Sequence, residues 1–347
     1  MRAFVTGCTG TVGANLVAAL NQRGIEVVGL RRKTSPDDAV AGLDINFVTG
    51  DILDIETLRP AMEGIDWVFH VAAISDYWRT PAEVIYRVNV EGARTVMEAA
   101  LQAGVSSFVL TSSTASLGMP RADKPLMDET DVFNLEGADF PYGYSKHLAE
   151  EAMREYVGKG LSATAVLPSA VMGPRDLRFN VGELIIRALK GGLVPTPDGG
   201  LNFVDATDCS EGHIAAAEHG KPGERYLLAG DNLTHAETLA IINETLGTSA
   251  RPLHLPRWTL PPLAEIVNVL QLLGIELPVD KGRVLFSGER IYYDNERART
   301  ELGLSFRPFA ESVQSAYDWY VAHDYLQKRG IHGTRSGGSK IIDKWRG

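Results

Sequence analysis

The sequence predicts an α/β protein built on a doubly wound parallel sheet, because short apolar runs alternate with helical patterns through the first half of the chain. The runs are rich in valine and phenylalanine and lack a polar side, as is typical of strands buried on both faces. We expect strands over residues 3–6, 26–30, 46–48, 67–70, 107–111 and 163–167. We expect helices over residues 13–23, 84–103 and 142–157. Ligands of such sheets bind at the carboxyl ends of the strands.

A glycine-rich turn follows the first predicted strand and opens the first predicted helix. Its glycines are spaced three residues apart. Such a turn lets backbone amides approach a pyrophosphate at a helix N-terminus, where the helix dipole favours negative charge. The sequence therefore predicts a dinucleotide-binding site. Its expected contacts in this turn are Gly7, Thr9, Gly10, Thr11, Val12 and Gly13.

The end of the second predicted strand indicates which dinucleotide binds. An NAD-binding protein places Asp or Glu there to accept from the ribose hydroxyls. This chain has Arg31 and Arg32 instead, and guanidinium groups pair well with a 2′-phosphate. An ordinary solvated basic turn is the alternative. We therefore expect NADP(H) to be favoured over NAD(H). Further cofactor contacts are expected where the third and fourth strands end, at Asp51, Ile52, Ala72 and Ala73.

Three side chains suggest a catalytic group. Tyr142 and Lys146 are four residues apart on a predicted helix, so their side chains are neighbours on one face. A free tyrosine has a pKa near 10, and an ammonium group alongside is expected to lower it. Ser113 follows the fifth predicted strand, where its hydroxyl would donate to a substrate oxygen that gains negative charge. This set suits hydride transfer to or from a carbonyl or alcohol carbon of a small molecule.

Composition excludes several other classes of protein. The formal net charge is −10, which disfavours nucleic-acid binding through phosphate neutralisation. Cys8 and Cys209 are the only cysteines and lack metal-ligand spacing, so we expect reduced thiols, no bound metal and a cytoplasmic location. Residues 1–6 already form a predicted strand, which leaves no room for a targeting segment. No apolar run is long enough to predict a membrane span.

The regular alternation of apolar runs and helical patterns ends after Pro168, where prolines and glycine pairs interrupt the short segments that follow. We expect a dinucleotide-binding domain over residues 1–170, with returning segments near 201–230. A substrate domain is expected mainly over 171–327, with a long helix around residues 260–273. Residues 328–347 are basic and glycine-rich, so we expect a solvated extension or a subunit contact, the latter in a homodimer.

The motifs taken together resemble the extended short-chain dehydrogenase/reductase family. The resemblance covers residues 1 to about 325 and adds Gly50-Asp51, His70-Val-Ala-Ala73, Asn89-Val-Glu-Gly92 and Leu167-Pro168 to the motifs above. It implies a Rossmann sheet, with Ser113, Tyr142 and Lys146 as the catalytic set. Asn89 is implied as a helper that positions water near the lysine, and Pro168 is implied to border the nicotinamide. His70 we interpret as a structural histidine at a strand end.

Within that family the chain is similar to the dihydroflavonol reductase-like branch and also to hopanoid-associated sugar epimerases. Dehydratases carry an Asp-Glu pair after the catalytic hydroxyl, but Thr114 and Ala115 follow Ser113 here. The leading hypothesis is an NADP(H)-dependent ketone or aldehyde reductase. A sugar epimerase is the second, and a non-catalytic NADP-binding sensor is the third. Candidates for the lining of an apolar substrate pocket are Tyr77, Trp78, Phe179 and Trp258, with simple packing as the alternative.

Overall fold

The computed structural model describes residues 1–77, 80–275, 277 and 279–326. The predicted tail over 328–347 and the aromatic candidate Trp78 lie outside these residues. The strands in chain order are β1 (Arg2–Thr6), β2 (Glu26–Arg31), β3 (Asn46–Thr49), β4 (Trp67–His70), β5 (Ser107–Thr111), β6 (Leu126–Met127), β7 (Ala163–Pro168), β8 (Ala170–Met172), β9 (Leu193–Pro197), β10 (Gly200–Asp205), β11 (Arg225–Leu228), β12 (Asp231–Thr234), β13 (Arg251–Leu255) and β14 (Tyr292–Tyr293).

Helices separate most of these strands. They are α1 (Thr11–Gln22), α2 (Ile55–Leu58), α3 (Ala82–Tyr86), α4 (Gly92–Ala103), α5 (Pro141–Gly158), α6 (Glu183–Lys190), α7 (Ala206–His219), α8 (His235–Leu246), α9 (Leu260–Leu272), α10 (Lys281–Phe286), α11 (Glu296–Glu301) and α12 (Phe309–Ala322). The helix expected over residues 84–103 is divided, because a wider π-helical turn at Arg87–Glu91 separates α3 from α4.

The centre of the fold is a seven-stranded parallel sheet in the order β3-β2-β1-β4-β5-β7-β11. This order confirms the predicted doubly wound α/β fold. All six predicted strands belong to the sheet. The strand order reverses at β1, so a crevice forms between the ends of β1 and β4. The glycine turn after β1 lies at this crevice.

Helices cover both faces of the sheet and account for its apolar strands. On one face α4 and α5 pack with the side chains of Phe4, Val68 and Phe108 in a buried core. On the other face α1 and α7 pack together over Val5 and Phe69. Alternate residues of one strand thus enter opposite cores, which is why the strands have no polar side.

The later part of the chain forms smaller sheets around a separate core. Strand β10 pairs with β8 and β12, and does not join the main sheet. Strand β11, in contrast, forms the edge of the main sheet, and the return of the segments near residues 201–230 to the dinucleotide-binding domain stays a prediction. The division of the chain into two domains at residue 170 stays a prediction. Helices α6, α8 and α12 enclose the separate core.

Candidate active site

The glycine turn has a backbone that only glycine accommodates at two of its three positions. Gly7 has φ +66°, and a Cβ there would lie 2.7 Å from the Ala72 amide nitrogen. A Cβ on Gly13 would lie 2.2 Å from the Gly7 carbonyl oxygen. These glycines allow β1, the end of β4 and α1 to pack closely. Ala72 thus lies beside the turn, and its expected contact with a cofactor stays a prediction.

Gly10 requires a different explanation. A Cβ on Gly10 would meet only the Gly7 carbonyl oxygen, at 3.4 Å, and its backbone is extended. The protein itself therefore leaves room for a side chain. Gly10 is also the N-cap of α1, and no side chain caps the free amides of the first turn, at Thr11, Val12 and Gly13. An open cradle of unpaired amides fits the pyrophosphate of a dinucleotide.

The arginine pair at the end of β2 is partly engaged within the protein. Arg31 Nη1 is 2.9 Å from Asp37 Oδ2, and the guanidinium lies 4.1 Å from the centre of the Phe47 ring. The Arg32 side chain is exposed and has no hydrogen bond or ion pair with the described residues. Asp37 is an acidic neighbour that sequence spacing did not reveal as a partner. A 2′-phosphate here would have to compete with it for Arg31.

The other expected cofactor contacts lie along the same edge of the sheet. Asp51 follows β3, is exposed, and accepts a hydrogen bond from the Leu53 amide at 3.0 Å. Ile52 packs against Gly92 at the start of α4. Ala73 follows Ala72 and is exposed. Their contacts with a cofactor stay a prediction.

Ser113 and Tyr142 meet at the carboxyl end of the sheet. Ser113 begins the short 3₁₀ turn after β5, where its hydroxyl oxygen accepts from the Ala115 amide at 3.2 Å. Tyr142 lies in the first turn of α5, and the Ser113 hydroxyl is close enough to its phenol to lower the pKa of Tyr142. Both side chains are half-buried, so they can reach a ligand. The sequence separates them by 29 positions, but the fold brings them into contact.

Lys146 lies one turn after Tyr142 on the same face of α5. Its side chain is buried, and Nζ donates to the Thr111 carbonyl oxygen at 2.8 Å. Burial lowers the pKa of Lys146 to about 8, and the Glu150 carboxylate acts in the opposite direction. The lysine is therefore mainly an ammonium group at neutral pH. The carbonyl that receives it belongs to the last residue of β5.

The expectation that Lys146 lowers the pKa of Tyr142 is wrong for this structure. Burial raises the pKa of Tyr142 above its usual value, and the Ser113 hydroxyl lowers it only in part. The lysine ammonium instead donates to the Thr111 carbonyl. A phenol in this environment keeps its proton at neutral pH. It is thus in the form that donates a proton.

Asn89 lies in the π-helical turn before α4 and is buried. Its amide group bonds both the N–H and the C=O of Ile74, at 2.8 and 3.0 Å, and also donates to Ser145 Oγ at 2.9 Å. It therefore ties the chain after β4 to α5 between Tyr142 and Lys146. These contacts position the catalytic helix. A role in ordering water near the lysine stays a prediction.

His70 is a structural residue, as the sequence predicted. The Thr6 hydroxyl accepts from the Ala72 amide at 3.1 Å and lies 2.9 Å from His70 Nδ1. Burial, with a smaller effect from Lys146, lowers the pKa of His70 to about 3. The imidazole is therefore neutral, and it holds the end of β4 in place beside the glycine turn.

The residue after Pro168 is a candidate that sequence reasoning missed. Pro168 ends β7, and the Ser169 hydroxyl is buried without a hydrogen-bond partner among the described residues. A buried hydroxyl without a partner costs free energy, so it marks a place where a bound ligand would complete the hydrogen bonding. Its position directly after the Leu-Pro motif was the available signal.

Three aromatic side chains, here called the aromatic wall, extend from Tyr142 toward α10. They are Tyr77, Phe140 and Phe286. The Tyr77 ring stacks on Tyr142 with centroids 6.1 Å apart, and Phe140 contacts both rings edge-on. Phe286 of α10 packs against Phe140 with centroids 5.4 Å apart and also lines a cleft of about 790 Å³. The aromatic wall thus connects Tyr142 with one edge of this cleft, whose other lining residues include the charged Arg121, Asp198 and Arg290.

The other predicted pocket aromatics lie elsewhere. Phe179 stacks on Tyr320 in the core around α12, with centroids 4.9 Å apart. Trp258 precedes α9 and is 75% exposed. Neither contacts the aromatic wall, so only the Tyr77 expectation leads to the site. The reason is that Phe179 lies on a loop whose side chains turn toward the second core.

Metal ligands, membrane-spanning helices and cysteines were compared within the part of the chain that the structure describes. No group of His, Cys, Asp and Glu side chains there has the arrangement of a metal site. No helix within those residues is long and apolar enough to cross a bilayer. Cys8 and Cys209 are both free and buried.

The chain matches the model of the NAD dependent epimerase/dehydratase family over residues 3–229, which is well over half its length. It therefore belongs to that family, the extended short-chain dehydrogenases/reductases. The chain is an NAD(P)-dependent oxidoreductase with a Rossmann sheet. The glycine turn, Ser113, Tyr142 and Lys146 all lie within the matched residues.

Relatives of nearly the same length have reductase names. A putative dihydroflavonol 4-reductase of Synechocystis is 34% identical over 93% of this chain and 96% of its own length. A 4-hydroxy-2-methyl-3-oxo-4-farnesyl-3,4-dihydroquinoline-1-oxide ketoreductase of Stigmatella aurantiaca is 31% identical over 88% of this chain and 92% of its own. Among solved structures, that of gox2253 is 33% identical with a TM-score of 0.80, and covers 93% of this chain and 98% of the other.

Proposed function

We propose that this chain is an NADP(H)-dependent reductase of an apolar, aromatic or polycyclic ketone or aldehyde, with Tyr142 as the proton donor. The observation that carries the proposal is the contact between Ser113 and Tyr142 beside an open cradle of backbone amides. The reductase names of two relatives of similar length support carbonyl reduction. The named substrates of both are ketones with ring systems.

The chemistry of the site suits the reducing direction. The bound cofactor would supply the hydride to the carbonyl carbon. Tyr142 would donate its proton to the carbonyl oxygen, and the Ser113 hydroxyl would donate a hydrogen bond to the same oxygen as charge develops. Alcohol oxidation would require the phenolate, but burial raises the pKa of Tyr142 and so disfavours that form. The phenol would regain its proton from solvent after each turnover.

The aromatic wall supports an apolar substrate. Tyr77 and Phe140 contact the Tyr142 ring, and Phe286 continues this surface into the cleft with Leu285. Binding sites for small molecules are commonly lined in this way, with a few polar groups that fix orientation. A ring system stacked against the wall would bring its carbonyl group to the two hydroxyls.

The preference for NADP(H) rests on the two arginines at the end of β2. No carboxylate occupies the position after that strand that would accept from the ribose hydroxyls of NAD. Arg32 is exposed and available, and Arg31 needs only to leave Asp37, which is itself well exposed. The ammonium of Lys146 is proposed to contact the nicotinamide ribose, and the Ser169 hydroxyl is proposed to contact the nicotinamide.

The direct test is cofactor consumption. Purified protein would be given NADPH or NADH with matched carbonyl compounds, one aromatic and one short-chain aliphatic of equal reactivity, and the absorbance of the reduced cofactor would be followed. We expect turnover with NADPH and with the ring-bearing member of each pair. Nucleotide sugars form a separate arm. Interconversion of a nucleotide sugar without net loss of cofactor would contradict the proposal, as would binding of NADPH without any turnover.

A further inference from the structure

Glu150 lies one turn after Lys146 on α5 and is fully buried. Its Oε1 accepts a short hydrogen bond from the Ser112 hydroxyl. Its Oε2 accepts from Arg225 Nη1 at 2.7 Å. Ser112 directly precedes Ser113, so a single carboxylate joins the end of β5 to the helix that carries Tyr142 and Lys146. Neither Glu150 nor Arg225 contacts Tyr142.

Arg225 is the matching buried cation, at the start of β11. Besides Glu150, it donates to the backbone carbonyls of Glu129, at 2.9 Å, and Asp131. The Glu129 carboxylate in turn accepts from the Leu227 amide at 2.8 Å. A buried ion pair needs hydrogen-bond partners for its remaining polar atoms, because a buried charge without partners lowers the stability of the fold. The arginine is therefore held in place independently of Glu150.

The polar and charged groups that face Lys146 come from α5, β4 and β5. On α5 they are Tyr142, whose pKa is raised, and Glu150. From β4 comes the neutral His70, and from β5 comes only the Thr111 carbonyl. Arg225 approaches Glu150 from β11, and the exposed Arg154 is 3.8 Å from the same carboxylate.

Glu150 and Lys146 are one turn apart on α5 and bond to adjacent residues at the end of β5, Ser112 and Thr111, so the carboxylate and the ammonium group lie near each other without forming a direct ion pair. Burial lowers the pKa of Lys146 to about 8, and the Glu150 carboxylate is the group that raises it. Glu129 is directed toward the β11 backbone, and burial raises its pKa, which favours its neutral form.

We propose that Glu150 is a positioning residue that holds β5 against α5 and keeps the Lys146 side chain as an ammonium group. The proposal rests on the proposed function for one point only, namely that the ammonium group binds the cofactor. The protonation of the Lys146 side chain is a property of the protein alone. It can be measured without substrate or cofactor.

The experiment is an NMR titration of lysine side chains in the whole protein labelled with ¹³C at lysine Cε. The sequence has ten lysines, and the Lys146 signal is assigned by its absence in Lys146→Arg. Lys146 should titrate near pH 8 in the unaltered protein. In Glu150→Gln, which keeps the shape of the side chain, the midpoint should fall by about one pH unit or more.

Two further variants separate charge from architecture. Arg225→Gln breaks the same ion pair but keeps the anion, so Lys146 should titrate no lower than in the unaltered protein. The double variant Glu150→Gln with Arg225→Gln leaves no unpaired buried cation, so its fold should be retained. The midpoint of the Lys146 titration should still fall in this double variant. Glu155→Gln is the matched control, because Glu155 is an exposed carboxylate on the same helix, paired with Arg94, and should change nothing.

An unchanged Lys146 midpoint in both variants that lack Glu150 would overturn the proposal, as would an equal fall in Arg225→Gln. NADPH titrations form a separate arm. If the midpoint falls from about 8 to about 7, the ammonium fraction at pH 8 falls from about one half to about one tenth, so we expect the NADPH affinity of Glu150→Gln at pH 8 to fall about fivefold. A shifted midpoint with unchanged NADPH affinity would leave the role of Glu150 intact and remove the cofactor role of Lys146. Failure of the reductase assay would leave the titration result unaffected.

Discussion

The two charged clusters of the cofactor-binding half are built in opposite ways. Around Lys146, the ion pair of Glu150 and Arg225 is buried, and hydrogen bonds with two other segments, at Ser112 and at residues 129–131, complete it. Around the end of β2, the pair of Arg31 and Asp37 lies at the surface, with the aspartate 64% exposed. The first cluster is fixed before a ligand arrives, but the second can rearrange.

Burial determines how strongly a substitution in each cluster affects stability and cofactor binding. Removing one partner of a buried pair commonly costs about 3–5 kcal/mol, because the other charge is left without compensation. An exposed pair contributes about 0–1 kcal/mol and is screened by salt. We therefore expect substitutions near Lys146 to act strongly and independently of ionic strength. Substitutions near Arg31 should act moderately and depend on salt.

The largest effect is expected from Tyr142→Phe, next to the buried cluster. The change removes the proton donor but keeps the ring that stacks on Tyr77. Turnover should fall by a factor of about 100 or more, with NADPH affinity nearly unchanged. Steady-state kinetics and fluorescence titration measure the two quantities. The loss should be the same at low and high salt.

Tyr144→Phe is the matched control for that variant. Tyr144 lies two residues later on α5 and stacks on Phe133 and His147, away from the Ser113 hydroxyl. Its replacement should leave turnover within about twofold of the unaltered protein. If Tyr142→Phe kept near-normal activity, or if both variants lost it equally, the assignment of Tyr142 as proton donor would be wrong.

A smaller effect is expected from Gly10→Ala, which tests the rigid backbone of the cofactor site. The protein leaves room for this Cβ, so the fold should remain. A methyl group at the N-cap of α1 would stand where a pyrophosphate approaches. NADPH affinity should therefore fall about tenfold to a hundredfold, which corresponds to about 1.4–2.8 kcal/mol. Isothermal titration calorimetry measures it.

Two other glycines calibrate this prediction. Gly158→Ala adds a methyl group in open space at the end of α5, so affinity and melting temperature should both stay unchanged. Gly13→Ala would place a Cβ 2.2 Å from a carbonyl oxygen, so the melting temperature should drop. Unchanged NADPH affinity in Gly10→Ala would show that the cofactor does not approach this amide.

The sequence predicted the parts of the site that depend on local pattern. Continuous apolar runs indicated the strands, and glycine spacing with a Tyr-x-x-x-Lys spacing indicated the turn and the catalytic helix. Each of these signals lies within one or two adjacent elements. The doubly wound order then follows, because parallel strands joined by helices pack in few ways.

The sequence did not reveal the partners that meet through the tertiary fold. Arg225 is 75 positions from Glu150, and no periodicity links an edge strand to a helix on the face of the sheet. The raised pKa of Tyr142 was missed for a related reason: spacing along α5 placed a lysine nearby but could not give the burial of the phenol. The pairing of β10 with β8 and β12 was not predicted either, because an apolar run does not specify which strand it pairs with.

The smallest expected effect concerns the exposed cluster and cofactor choice. In Arg31→Asp the added carboxylate would repel a 2′-phosphate and accept from ribose hydroxyls. The KM for NADPH should rise about tenfold, and that for NADH should fall, with little change in kcat, because the site lies far from the reacting carbon. Asp37→Asn removes the residue that competes for Arg31, so it should lower the KM for NADPH.

Salt and a matched arginine complete this test of the exposed cluster. A charge-assisted contact is worth roughly 1.5–3 kcal/mol when shielded, but solvent exposure and screening reduce it here. Raising ionic strength should therefore weaken NADPH binding more than NADH binding. Arg94→Ala removes an exposed arginine from an ion pair with Glu155, away from the glycine turn, and should leave the preference unchanged.

If the unaltered protein used both cofactors equally, or if Asp37→Asn had no effect while Arg31→Asp changed only the melting temperature, Arg31 would be a solvated surface residue. The contrast between the buried and the exposed cluster would then extend to function, with cofactor binding depending on the buried one alone.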